Sequence, residues 1–275
     1  MELNKYEIKS LKEIGKWEKE KHGGFHKKIL DVITKPVDYL IKKIGPEKLK
    51  MFESAIEATI KQMLYASTYT VNPQQLIKRA HEHGIMIEDL SEMKTCNLEL
   101  LDDCNRKHIK FHERASAVQG AAAGIGGGLV ATVDLTAVLV QDFHMLQEIA
   151  FCYGYDPNDI IEKEIILRII EAGVGGSEAK FKALQEIENL KRLKDEKTET
   201  EATGKGISVV GAKALEEYIE DLAVSLLGRL IPRTLPIPVA TMVISAHSNH
   251  EIMEHSGNTA FMVYRKRFIE RKKEL

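Results

Sequence analysis

A dense cluster of glycines interrupts the most apolar region of the chain and limits how that region can fold. The cluster consists of Gly124, Gly126, Gly127 and Gly128. Together with Gly120, Thr132 and Thr136, it forms a line of small side chains at four-residue spacing, a pattern that allows helices to pack closely within membranes. Glycine also loses more conformational entropy than other residues when it is fixed in a helix, so the cluster equally suits a break between two helices.

An internal similarity favours the break. When the chain is aligned with itself so that Tyr264 falls on Tyr153, Pro236-Ile237-Pro238 falls within the glycine cluster, and an apolar helical stretch follows each site. We therefore predict two pseudo-repeated segments, each a helix break followed by a helix, over residues 124–153 and 236–264. The two helices are expected to pack against each other, with a partner for Asp134 near their start.

The apolar run after the glycines is too short to cross a bilayer. Leu129–Val140 falls well below the roughly 20 residues that a membrane-spanning helix needs. Asp134 lies inside the run, and a carboxylate at bilayer depth costs about 2.5–3.5 kcal/mol. We therefore expect a buried pair of helices rather than a transmembrane span.

The composition predicts an all-α fold. The chain has 275 residues, of which 44% are hydrophobic, enough for one large core or two small ones. Few prolines and many Ala, Leu, Ile, Glu and Lys residues favour helices, and no run shows the two-residue alternation of a strand. We predict a single multi-helix bundle over residues 1–275.

Local signals place some of the helix boundaries. Asn72-Pro73 and Asp156-Pro157 each read as a capping residue followed by a first-turn proline, and Gly84 reads as the end of the helix that starts at Asn72. Residues 191–206 lose apolar periodicity and are rich in Lys, Glu, Thr and Gly. This segment is predicted to be a flexible internal linker.

The charges are unevenly distributed along the chain. Residues 1–50 hold thirteen lysines against eight acidic residues, and residues 265–275 hold six basic residues against two acidic ones. Basic ends attract an anionic membrane surface, although solvated helix faces have the same composition. The pattern is not that of a nucleic-acid-binding protein, which has a larger basic excess interleaved with aromatic residues.

The cysteines and the first residues indicate a cytoplasmic protein. The three cysteines form no Cys-x-x-Cys pair, so neither a disulfide framework nor a zinc ribbon is expected. Met1 to Lys21 is charged throughout and lacks the apolar stretch of a signal peptide. We expect the protein in the cytoplasm or peripheral at the membrane.

Two groups of side chains have metal-binding spacing. The first places four residues on one helical face, to which Asp134 or His144 could add a ligand: His247, His250, Glu251 and Glu254. The second is the pair His108 and His112, one helical turn apart beside Glu113, in an order that is not the His-Glu-x-x-His of metalloproteases. Solvated polar faces are the preferred explanation of both groups, so no cofactor and no catalytic residue is predicted.

Two motif regions resemble the EcsC family over about residues 17–268. The first holds the glycine cluster, Asp134-Leu135, Ile149-Ala150 and Tyr153-Gly154-Tyr155-Asp156; the second holds Asn249, Met253, Gly257, Ala260, Tyr264 and Arg267. The family-motif candidates are thus Gly124, Gly126, Gly127, Gly128, Asp134, Tyr153, Gly154, Asn249 and Gly257. The chain departs from the family pattern at Pro238-Val239-Ala240, where a proline-and-glycine turn is usual.

The resemblance implies a bacterial, largely helical protein of a family that is often associated with membranes and is named for a gene beside those of an ABC-type exporter. It implies no particular reaction. We therefore expect a non-enzymatic protein whose partner is a membrane surface or a membrane protein, with its oligomeric state left open. One alternative is a lipid or apolar-ligand binder with a cavity of about 300–1,000 Å³ between the paired helices. The other is a metal-dependent hydrolase that uses His247, His250 and Glu251.

Overall fold

The structure, a computed structural model, describes residues 2–20, 45–65, 71–123, 128–175, 177–202, 212–230 and 240–274. Within these ranges it contains helices and no strand, which confirms the all-α fold. The α-helices are α1 (Lys5–Lys19), α2 (Pro46–Tyr65), α3 (Pro73–Glu82), α4 (Leu98–Ala123), α5 (Gly128–Cys152), α6 (Ile160–Val174), α7 (Ser177–Ala202), α8 (Ala212–Leu230) and α9 (Ala240–Glu274). A short 3-10 helix, Leu90–Thr95, lies between α3 and α4.

Side-chain caps fix the starts of several helices. A capping box begins α1, in which Asn4 and Glu7 each accept a hydrogen bond from the other's backbone N–H. Asn72 caps α3 as predicted. The start predicted at Asp156 is wrong by three residues, because Asp159 caps α6 whereas Asp156 accepts hydrogen bonds within the preceding turn.

The helices α4 and α5 form an antiparallel hairpin. One ends at Ala123 and the other begins at Gly128, so the break predicted at the glycine cluster falls on residues 124–127, which lie outside the described residues. Asp102 near the start of α4 contacts Tyr153 just beyond the end of α5, so the two helices run in opposite directions. The hairpin places polar side chains from one helix opposite those of the other.

The longest helix, α9, packs against α1, α4, α5 and α6. Its contact with α5 confirms that the helix after Gly128 and the helix after Pro238 lie against each other. Pro236-Ile237-Pro238 and the side chain of Asp134 lie outside the described residues, so the pseudo-repeat and the partner of Asp134 stay predictions.

The segment predicted to be a flexible linker begins as helix. Helix α7 continues to Ala202, so the prediction of a connection from residue 191 is wrong up to that point, and residues 203–206 lie outside the described part. Apolar periodicity reports burial, whereas helix formation here depends on Lys and Glu, which have high helix propensity. Lys191 on this helix also pairs with Glu188 and Glu270.

Most of the basic side chains near the end of α9 are used inside the protein. The ion pairs are Arg265 with Asp102 and Glu13, Lys266 with Glu18 and Glu188, Arg267 with Glu162, and Lys272 with Glu7. Arg271 donates hydrogen bonds to the carbonyl groups of Tyr153 and Gly154. These ion pairs join α9 to α1, α4, α6 and α7. Most of the basic residues at this end are therefore paired with acidic residues of the protein itself.

Across the described ranges, none of the helices has both the length and the apolar character required to cross a membrane.

Candidate metal centre

The α4–α5 hairpin brings three metal-ligating side chains together. His108 and His112 lie one turn apart on α4, and Glu148 faces them from α5. Three ligand atoms, one from each of these residues, lie within 4.8 Å of one another. Among the side chains that the structure describes, no second group of three or more His, Cys, Asp or Glu residues meets that criterion.

The three side chains are buried and converge on one carboxylate oxygen. Oε2 of Glu148 lies 2.6 Å from Nε2 of His108 and 3.4 Å from Nε2 of His112. The side chain of Glu148 is 4% exposed, that of His108 is 2% exposed and that of His112 is 9% exposed. Nε2 of His108 is close to the carboxylate without hydrogen-bond alignment, and Nδ1 of His112 has no hydrogen-bond partner. Because buried polar atoms are nearly always paired, the unpaired Nδ1 of His112 indicates room for an ion or water at this cluster.

Two further side chains border this triad. Arg79 of α3 places Nη2 3.0 Å from Oε1 of Glu148 and Nη1 2.5 Å from Nδ1 of His108. His144 lies one turn before Glu148 on α5, with its Nε2 3.8 Å from Oε1 of that residue. Its side chain is 32% exposed, so His144 connects the buried triad to the protein surface.

Burial and charge set the protonation of the site. Burial lowers the pKa of His108 to about 4, and the nearby Glu148 carboxylate, which raises it, does not compensate. Burial raises the pKa of Glu148, but the two imidazoles and Arg79 outweigh that effect and hold the pKa below its ordinary value. Burial also lowers the pKa of His144. At neutral pH, His108 is therefore neutral and Glu148 is ionised, which are the forms that bind metals.

Two imidazole nitrogens and one carboxylate oxygen suit a divalent transition metal. The same donor set holds catalytic zinc and non-haem iron, and it leaves at least one coordination position open. Helical bundles commonly build metal sites from His and Glu side chains on facing helices. The residues present at the triad therefore fit a zinc, iron or manganese ion.

Of the other predicted metal set, the three residues whose side chains the structure describes, His250, Glu251 and Glu254, do not form such a group. Nδ1 of His250 is 3.9 Å from Oε2 of Glu254, and both side chains are substantially exposed. Glu251 is partly buried on the same helix, and the side chain of His247 lies outside the described residues. The structure thus favours the pair His108 and His112 over this set.

Several family-motif residues pack helices together rather than line the triad. Tyr153 is buried and donates a hydrogen bond of 2.7 Å to Asp102. Gly154 ends α5 with a φ of +77°, and Gly257 of α9 leaves room for Ile109 of α4. Asn249 of α9 is buried, with Nδ2 unpaired.

The remaining motif candidates are not described in full. Gly128 begins α5, whereas Gly124, Gly126 and Gly127 lie outside the described residues.

Sequence reasoning missed Glu148 and Arg79, although the hairpin register contains a signal for the first. In an antiparallel hairpin centred on Gly128, His108 faces Glu148 because the two are equally distant from the centre. By the same rule, His112 faces His144. Arg79 lies on α3, which is not part of the hairpin, so the spacing of residues about the turn does not indicate which hairpin residues it faces.

A groove of about 210 Å³ lies elsewhere, among α1, α7 and α9. Its apolar lining includes Trp17, Phe181, Leu184, Met262 and Val263. This volume is below the roughly 300–1,000 Å³ of typical ligand sites. The groove does not lie between α5 and α9, where the apolar-ligand alternative places its cavity.

Comparison with known proteins gives a family match and a relative in another organism. The model of the EcsC protein family matches residues 8–269. The chain is also 29% identical over 276 residues to a Bacillus subtilis (strain 168) protein called uncharacterized protein YdbA, an alignment that covers 96% of this chain and 93% of the relative. No solved structure matches the chain.

Proposed function

This chain belongs to the EcsC protein family, and we propose that it is a helical protein that binds a divalent transition-metal ion through His108, His112 and Glu148. The observation that carries the proposal is the convergence of three buried ligand atoms within 4.8 Å. Two of the nitrogens around them have no hydrogen-bond partner. An ion bound by one atom from each of the three residues links α4 to α5.

The donor set also favours a site that is accessible from solvent. Three protein ligands leave a position for water or a small ligand, as in catalytic metal sites, whereas a structural zinc site usually has four protein ligands. The partly exposed His144 lies on the outer side of Glu148. Metal binding with one open position is therefore the function that the geometry supports best.

Zinc titration of the metal-stripped full-length chain tests this proposal. Calorimetry is expected to show one Zn²⁺ bound per chain, and Co²⁺ in the same site is expected to give the visible absorption of a nitrogen and oxygen ligand set. His112→Gln and Glu148→Gln are each expected to weaken Zn²⁺ binding at least 100-fold, since the loss of even an outer-shell partner commonly costs about 10–100-fold.

The matched control is His250→Gln, which removes a histidine from the other predicted metal set. Its Zn²⁺ affinity is expected to equal that of the unchanged protein. A metal-stripped chain that keeps its helical circular dichroism but binds no stoichiometric Zn²⁺, Fe²⁺ or Mn²⁺ contradicts the proposal and leaves the triad as an internal ion-pair cluster.

As a second function, we propose contact with a membrane surface or with a membrane protein such as an ABC-type exporter, as the family resemblance implies. Three large apolar side chains on the α4–α5 hairpin support it, because Phe111, Val118 and Val140 are all exposed. Phe111 and Val118 are seven residues apart and therefore share one face of α4, and exposed apolar side chains that lie together are typical of interaction sites. The internal pairing of the basic residues of α9 makes this hairpin a better candidate than the C-terminal charges.

Co-sedimentation with phosphatidylglycerol vesicles tests the membrane contact. Phe111→Ser combined with Val118→Ser is expected to reduce the bound fraction severalfold. Met86→Ser is the control, because Met86 is equally exposed but lies outside the hairpin. No sedimentation of the unchanged protein at low salt contradicts a membrane surface as the partner.

A further inference from the structure

Arg79 contacts two of the three side chains that are proposed to bind the metal ion. Its guanidinium contacts Oε1 of Glu148 and Nδ1 of His108, and Nη1 also lies 3.5 Å from the second oxygen of Glu148. The group is therefore a cation held between the same side chains that are proposed to bind the metal. Two positive groups so close together in a buried site repel each other strongly, because little water screens them.

The hydrogen bonds lead to the same conflict. A guanidinium has only donors, so Nδ1 of His108 must accept from Arg79, and the proton of the neutral imidazole then resides on Nε2. An imidazole that binds a metal through Nε2 carries its proton on Nδ1. A proton on Nδ1 of His108 would point at the N–H of Arg79. The hydrogen bond from Arg79 to Nδ1 and a metal ion bound to Nε2 of His108 therefore exclude each other.

Resting on the proposed metal site, we propose that Arg79 is an internal cation that occupies the site in the metal-free protein and is displaced when a divalent ion binds to His108, His112 and Glu148. Arg79 thereby sets the metal affinity of the site. It neutralises Glu148 when no metal is present and must give up two polar contacts when a metal enters.

Displacement of Arg79 affects the helix that carries it. Helix α3 is only ten residues long, and its buried side chains are Leu76 and Ala80. Leu76 packs with Phe151 and Cys152 at the end of α5. Loss of the Arg79 contacts removes the charged link from α3 to the hairpin and leaves this apolar packing, so metal binding is expected to loosen α3.

The Zn²⁺ affinity of Arg79→Met tests the inference in the full-length chain. Removal of the competing cation is expected to tighten Zn²⁺ binding at least tenfold, measured by competition with a chromophoric chelator. Arg79→Lys keeps the positive charge and is expected to bind Zn²⁺ within about threefold of the unchanged protein. Arg192→Met, which removes an exposed arginine on α7, is the control and should leave the affinity unchanged.

Hydrogen exchange on the unchanged protein provides a second measurement that needs no variant. Zn²⁺ is expected to speed amide exchange in residues 73–82 while leaving α1 unaffected. In Arg79→Met, Zn²⁺ should produce no such increase, because the contact is already absent.

The outcomes separate this inference from the function on which it rests. Weaker or equal Zn²⁺ binding by a folded Arg79→Met overturns the displacement while leaving the metal site in place. Unchanged or slower exchange in α3 of the metal-bound protein does the same. If neither the unchanged protein nor Arg79→Met binds Zn²⁺, the metal site is wrong, and the displacement fails with it.

Discussion

Asp142 of α5 is a buried carboxyl group with an unusual hydrogen-bond arrangement. Ser256 of α9 lies within hydrogen-bond distance of both Asp142 Oδ1 and the carbonyl of Ile252, although its hydroxyl has only one proton to donate. A protonated Asp142 resolves this conflict by donating to Ser256, which then donates to Ile252. Burial raises the pKa of Asp142 to about 7, which is consistent with that arrangement.

Asp142→Asn is expected to remove a loss of stability that the unchanged protein undergoes as pH rises. The pKa of the Asp142 carboxyl group is about 7 in the folded protein and near 3.8 in the unfolded chain. Between pH 4 and pH 7 the folded state therefore binds more protons than the unfolded state does. The contribution of Asp142 to the free energy of unfolding therefore falls as pH rises from 4 to 7, by at most about 4 kcal/mol. Urea denaturation at pH 5 and pH 8 measures the difference.

The comparison with Asn isolates Asp142 from other groups. His108, whose pKa is lowered, acts in the opposite direction. Its contribution to stability grows as pH rises from about 4, its pKa in the folded protein, to about 6.5, its pKa in the unfolded chain. Equal pH dependence in the Asp142→Asn variant and the unchanged protein contradicts the assignment of a raised pKa to Asp142.

At the scale of single residues, the sequence identified some important positions but not their partners. Tyr153 and Gly154 stood out through the family motif, whereas Asp102 and Lys94, which they contact, carry no local signal. Such partners are distant in sequence and depend on how the helices pack. The same reason explains why His108 was identified but Arg79 was not.

At the scale of helices, Gly154 and Gly84 form a matched pair of turn glycines. Both have left-handed backbone conformations, with φ of +77° and +76°. A Cβ on Gly154 falls 2.7 Å from the backbone nitrogen of Lys94, whereas a Cβ on Gly84 meets nothing within 4 Å. The two positions therefore share the conformational cost of a side chain but differ in the space available for it.

Gly154→Ala is expected to destabilise the protein much more than Gly84→Ala does. Left-handed backbone costs a non-glycine residue roughly 1–2 kcal/mol, which applies to both variants. The overlap with the backbone of Lys94 adds to that cost only at Gly154, because it forces the end of α5 away from the 3-10 helix. Chemical denaturation of the two variants measures the difference, and equal losses contradict the close packing at Gly154.

Most helices could be predicted from the sequence because their signals are local. The cap at Asn72 and the break between α4 and α5 follow from residue types at those positions. The continuation of α7 past Lys191 could not be predicted from apolar periodicity, because an exposed helix has none. The metal triad required the register of the α4–α5 hairpin, which depends on where a turn is centred.

At the scale of the whole molecule, the ends of the described chain are joined by charges. Arg265 of α9 lies 2.6 Å from the buried Asp102 of α4 and 2.8 Å from Glu13 of α1. Tyr6 of α1 also donates a hydrogen bond to Asp102. One arginine thus holds three helices together around a carboxylate that has little access to water.

Arg265→Met is expected to destabilise the protein by about 3–5 kcal/mol, because it leaves Asp102 buried without its cation. Lys273→Met, which removes an exposed base from the same helix, is the control and should have little effect. The single tryptophan, Trp17, is buried on α1, so its fluorescence should shift to longer wavelength if α1 separates from the body. Unchanged stability of Arg265→Met contradicts this role for the arginine.

The position of α9 also has a consequence for protein synthesis. Asp102 and Glu162 emerge from the ribosome well before Arg265 and Arg267, the arginines that neutralise them. Until then, the buried Asp102 lacks the arginine that it contacts, Glu162 has Lys194 but not Arg267 as a cation partner, and the apolar faces of α4, α5 and α6 lack the helix that covers them. Partly synthesised chains therefore expose this surface to chaperones and proteases, and burial of these carboxylates waits until the arginines of α9 have been translated.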